Sequence, residues 1–128
     1  MKILVYIQQD AGKINSVSLE ALKGAQDISA QTGGTVSALS FNAGVCSQLT
    51  SYDVAEVLVV EDDKLNTFNP LFHLKALEDI AKAESPDIIV FGHTYEARDW
   101  APRLSARLDI PLISDCIGFK IENKLRIT

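Results

Sequence analysis

The chain is poor in the residues that would tie it to several common functions. It has two cysteines, two histidines, four prolines, seven glycines and one tryptophan. Cys46 and Cys116 lie seventy residues apart, which fits two buried, reduced thiols of a cytosolic protein better than a disulfide framework. His73 and His93 have no metal-ligand spacing, and Asp62-Asp63 is too short an acidic turn to assemble a calcium site. No G-x-G-x-x-G and no Walker lysine motif is present. No stretch approaches the ~20 apolar residues that cross a bilayer, so the protein is not expected to be membrane-embedded. The first apolar run follows Lys2 directly and is about five residues long, which reads as a strand and not as a secretory leader.

What is present describes one globular domain over residues 1–128. The hydrophobic fraction is 47%, enough for a real core. The net charge of −5 argues against nucleic acid as a partner. The charge is unevenly spread: residues 1–90 carry six lysines against twelve acids, and residues 91–128 carry six basic groups against five. Arg98, Arg103 and Arg107 belong to the second group.

Short apolar runs alternate with helical periodicity. Residues 2–7 read as a strand covered on both faces, and residues 8–15 as a polar loop. Ser18 caps a helix with Leu19, Leu22, Ala25 and Ile28 inward, stopped by Gly33-Gly34. Residues 35–41 form a second strand, 42–52 a weaker helix on Ala43, Cys46 and Leu49, and 56–60 a third strand. Asn69-Pro70 starts a helix whose stripe is Leu71, Leu74, Leu77 and Ile80 or Ala81. His73 then faces solvent or an interface. Residues 87–91 are a fourth strand. A helix follows between residues 97 and 108, with Pro102 tolerated only if the first turn is still open there. Residues 110–113 make a fifth strand. Residues 118–127 alternate as an antiparallel hairpin turning at Asn123. The pattern is that of an α/β three-layer open sheet, mostly parallel, with a C-terminal hairpin.

In such a sheet ligands sit beyond the carboxyl ends of the strands, where strand order reverses. The loops there make Gln8, Asp10, Gly92, His93 and Thr94 the crevice candidates for a cofactor. Gly92 would admit a phosphate closely. His93 is the residue a small hydrolase would use, but no serine or cysteine stands beside it as a nucleophile. The helix that follows offers two readings. Arg103 and Arg107 share one face, with Asp99 four residues before Arg103, which describes a solvated helix. With Tyr95, Arg98 and Trp100 near its start, the same helix describes a docking face anchored by aromatics.

These residues, in order, resemble the amino-terminal domain of the electron transfer flavoprotein alpha subunit. The likeness is carried by Ile3-Leu4-Val5-Tyr6 with Gly12-Lys13, by residues 17–22, by residues 34–39 and by Val59-Val60-Glu61-Asp62. It continues in residues 86–92, Arg98-Asp99, Ala101-Pro102-Arg103-Leu104, Ala106-Arg107-Leu108 and Ser114-Asp115. Two departures stand out. Tyr95-Glu96-Ala97 replaces a small-residue turn ending in glycine, and residues 42–54 are short.

The resemblance implies a non-enzymatic scaffold and subunit-docking domain, located in a bacterial cytoplasm. Its partner is the electron transfer flavoprotein beta subunit, with a homodimer as the isolated chain's alternative. No cofactor is expected in these residues. FAD belongs to a carboxyl-terminal domain absent from this sequence, and AMP to the beta subunit. The ending at Thr128, in or just after a strand, is expected of either a truncated or a naturally short protein. The alternative reading is a stand-alone adenine-nucleotide-binding module of universal-stress-protein type.

Overall fold

A computed structural model of the chain describes residues 2–10, 12–52, 54–60, 70–92, 94–108, 119–121 and 125–127. Four strands make one parallel sheet: β1 (Lys2–Tyr6), β4 (Thr35–Ser40), β5 (Glu56–Val59) and β6 (Ile88–Phe91), in the order β5-β4-β1-β6. The register pairs Leu4 with Ser37 on one side and with Ile89 on the other. The expected fifth strand at 110–113 lies outside the described residues.

Both faces of β1 are buried, which is why its sequence is apolar without alternation. Leu4 and Tyr6 point to one side, with Leu39 and Phe41, and are covered by α3 (Pro70–Glu84) and α4 (Tyr95–Leu108). Ile3, Val5 and Ile7 point to the other, with Val36 and Ala38, under α1 (Ser16–Thr32) and α2 (Ala43–Leu49). Lys2 fastens the start of β1 to the end of α3: its main-chain N–H donates to Asp87 Oδ2 at 2.7 Å, and Nζ pairs with Glu84 at 2.6 Å.

Several local expectations change. The connection at 8–15 contains a two-residue hairpin, β2 (Gln9–Asp10) against β3 (Lys13–Ile14), turned by Gly12 at φ 82°. Asn15, and not Ser18, caps α1, since its side chain accepts from Val17 N; Ser18 lies one turn further in and is buried. Gly33 ends α1 in the left-handed conformation expected of it.

In α3 the stripe is shifted by one contact. Leu74, Leu77 and Ala81 are buried, but Leu71 is 65% exposed and His73 takes the inward position, edge-on to Phe41 at 5.1 Å. α4 starts at Tyr95, so Pro102 falls in its interior. It is tolerated because it lies on the exposed face, where the carbonyl of Arg98, deprived of its i+4 donor, is not forced into the core. β7 (Phe119–Ile121) and β8 (Leu125–Ile127) pair antiparallel, Phe119 opposite Ile127.

Candidate functional site

Strand order reverses between β1 and β6, because β4 and β5 run out to one side of β1 and β6 lies on the other. Gln8 follows β1 and Thr94 follows β6, so two of the crevice candidates meet at this point. The Thr94 hydroxyl donates to Gln8 Oε1 at 2.6 Å and accepts from Ala97 N at 3.1 Å. It thereby caps α4 and ties that cap to β1. Gln8 is buried, and its backbone N–H donates to Ser18 Oγ at 3.0 Å. Its carbonyl accepts from Asn15 N at 2.9 Å.

Gly92 is the third member. A Cβ built on it would meet Val17 Cγ1 at 2.8 Å, Val17 C at 2.9 Å and Ser18 N at 3.0 Å. The close approach that this glycine permits is made by the first turn of α1. The polar side chains at the switch point bond to one another, so among the described residues the arrangement holds three elements together and presents no phosphate cradle. Asp10 closes β2. His93 lies outside the described residues. No group of three His, Cys, Asp or Glu residues among those described is placed to hold a metal. No helix among the described residues is long and apolar enough to cross a membrane.

The second candidate region is α4. Trp100 does not stand at an exposed helix start. It is 1% exposed and packs edge-on to Tyr6 at 5.4 Å and against Phe91 at 4.8 Å. Helical spacing explains this: Ala97, Trp100, Ala101 and Leu104 are the inward stripe. Its Nε1 has no hydrogen-bond partner among the described residues. Tyr95 is the first residue of the helix. Arg98, Arg103 and Arg107 lie on the exposed side, which leaves the arginines as the accessible part of the expected docking face.

Arg103 reaches Asp99 at 3.5 Å, and Arg107 crosses to Glu78 on α3 at 2.9 Å. Glu78 also receives Lys82 at 2.9 Å. The hydrogen bond from Lys82, and then that from Arg107, hold the Glu78 carboxyl down at about 2. Glu78 and Lys82 escape a motif search. Their i,i+4 spacing is visible in the sequence, but the bond to Arg107 spans 29 positions and needs the packing of α3 on α4.

Comparison with known proteins agrees with this architecture. The family described as electron transfer flavoprotein domain matches residues 3–128. The electron transfer flavoprotein subunit alpha of Thermoanaerobacterium thermosaccharolyticum is 31% identical over 123 residues, covering 94% of this chain and 37% of that protein. The subunit of the same name in Bacillus subtilis is 32% identical, with the same coverage. A subunit of the lactate dehydrogenase (NAD(+),ferredoxin) of Acetobacterium woodii is 31% identical over 117 residues, covering 89% of this chain and 28% of that subunit. The chain thus spans little more than a third of the alpha subunits it matches.

Proposed function

The chain belongs to the electron transfer flavoprotein domain family, and from that premise we propose that it is the non-catalytic scaffold and subunit-docking domain of an electron transfer flavoprotein alpha subunit. The whole assembly carries electrons through FAD from dehydrogenases to a membrane or soluble acceptor. The flavin is held by polypeptide beyond these residues, and the partner that packs on this domain is a beta subunit. The observation that carries this reading is the extent of the match: 94% of this chain aligns with 37% of the alpha subunits.

The switch-point packing supports the division of labour. In open α/β sheets a dinucleotide lies against this point, with backbone amides free to meet its phosphates. Here Gly92 is closed by Val17, and Gln8 bonds to Ser18 through its main-chain N–H and to Thr94 through its side chain. These residues do not fit a flavin or nucleotide site, and no step of electron transfer is assigned to them. The docking surface is the exposed side of α4, with Arg98, Arg103 and Arg107.

Co-expression of the tagged chain with a beta subunit of the family tests both parts. The expected result is a stoichiometric complex in which residues 1–128 bring no flavin. Failure to co-purify removes the docking function. A yellow chain, holding flavin on these residues alone, removes the assignment of the cofactor to the rest of the parent protein.

A further inference from the structure

The charges on the outer layer formed by α3 and α4 are sorted by depth. The two helices carry Lys75, Lys82, Arg98, Arg103 and Arg107 against Glu78, Asp79, Glu84, Glu96 and Asp99. Formally they cancel, on a protein whose net charge is −5. Their accessibility does not cancel. The Glu78 side chain is 12% exposed, while the two cations that share it stand clear, Lys82 at 62% and Arg107 at 46%. Glu84 is 25% exposed and turned toward Lys2. Arg103, at 52%, projects past Asp99, at 37%. Lys75 and Asp79, at 65% and 57%, are matched in height, as are Lys2 and Glu84 at 33% and 25%.

Two cations on one recessed carboxylate leave one positive charge in excess. They also leave most of their donors to water: an ammonium has three and a guanidinium five, and Glu78 takes one bond from each. Beside them on α4, Pro102 and Ala106 are exposed and carry no charge, so nothing acidic interrupts the outward row from Arg103 to Arg107.

We infer that Lys82, Arg103 and Arg107 form an electrostatic docking surface on the α3–α4 layer for a protein partner presenting aspartate and glutamate side chains. The partner is the companion subunit, so the inference rests on the function proposed above and names the chemistry of its contact. The recessed Glu78 sets the direction in which the two cations point and keeps a carboxylate out of the contact plane. A carboxylate arriving from outside meets the free donors of Lys82 and Arg107 and completes the neutralisation that Glu78 leaves half done. Such contacts act mainly on the rate of association and weaken with added salt.

The test titrates the beta subunit onto the wild-type protein, Lys82→Gln/Arg107→Gln, Glu78→Gln and the control Lys23→Gln on exposed α1, at low and at high ionic strength. The expected result is a roughly tenfold weaker Kd for the double variant, with a flatter salt dependence and no change for the control. Glu78→Gln is the decisive arm. It removes two internal ion pairs and lowers stability, yet it frees two cations, so binding is retained or tightened. A surface that mattered only for folding would lose affinity in that variant too. Equal affinity and equal salt slope in the wild type and the double variant overturn the inference while leaving the subunit assignment intact. Absence of any complex with the wild type removes both.

Discussion

Gly92 and Val17 are in such close contact that the glycine has no room for a side chain: a Cβ there would lie 2.8 Å from Val17 Cγ1 and 2.9 Å from the Val17 carbonyl carbon. The obstruction is partly main chain, at the first turn of α1, and cannot be relieved by turning a rotamer. Gly92→Ala is therefore expected to cost about 1–3 kcal/mol, the usual range for overpacking. Urea denaturation of the two proteins measures it. A midpoint within error of wild type would show that α1 can shift freely and that the closure at the switch point is soft.

Glu78 gives the fold an acid-sensitive link between α3 and α4. Its carboxyl is held near 2, against an ordinary value of 4.5, by Lys82 and Arg107. A depressed carboxylate stabilises the folded state fully above its unfolded value and loses that contribution as pH falls through its folded value. The stability difference between wild type and Glu78→Gln is thus expected to be constant above pH 4.5 and to shrink between 4.5 and about 2. Because both cations are well exposed, salt is expected to reduce the difference. Denaturant midpoints for both proteins across that range decide the matter, and a difference independent of pH would show that the ion pairs contribute nothing.

Ser85 ends α3 with a positive φ of 47°, its N–H bonded to Ala81 O at 2.9 Å. That is a left-handed helix stop occupied by a residue with a Cβ, and Pro86 behind it prevents the helix from continuing. Ser85→Gly relieves the conformation, at the loss of a 3.4 Å contact from Ser85 Oγ to Lys82 O. The variant is expected to be more stable by about 0.5–1 kcal/mol. A thermal melt showing a lower Tm would mean that the flexibility added to the unfolded chain outweighs the relief.

The sheet was readable in the sequence because cover on both faces leaves its strands apolar without a break, with full burial at residues 3–7 and half-burial at 88–91. The stop at Gly33 was readable for a local reason, since the left-handed conformation favours glycine. The misplaced residues all turn on which neighbour wins a contact. Asn15 and Ser18 are both good capping residues, and only the packing of α1 against Gly92 and Gln8 decides that Asn15 caps while Ser18 is buried. Leu71 and His73 compete for the inward face of α3, and the ring of Phe41, from the end of β4, selects the histidine. Trp100 looks like an exposed aromatic if α4 starts at residue 97. Once the helix starts at Tyr95, its spacing from Ala97 and Leu104 turns it into the core. The pairing of Gln8 with Thr94 spans 86 positions, so the sequence gives no local sign of it.

That pairing makes the last prediction. The Thr94 hydroxyl accepts from Ala97 N and donates to Gln8 Oε1, so Thr94→Ala removes a helix cap and strips a buried acceptor of its donor at one stroke. Loss of a cap costs about 1 kcal/mol, and an unsatisfied buried acceptor about 1–3 kcal/mol. The expected total is about 2–3 kcal/mol, because water can reach the partly buried hydroxyl site and restore some of the loss. Thr94→Ser keeps the oxygen and is expected to recover most of it. Urea denaturation of the two variants tests the cap, and calorimetric titration with AMP or ATP tests what the closed crevice admits. In the wild type, binding no tighter than ~1 mM is expected. Micromolar binding would mean that Gln8 and Thr94 part to receive a nucleotide, and the adenine-nucleotide module would then replace the scaffold as the better account of this end of the sheet.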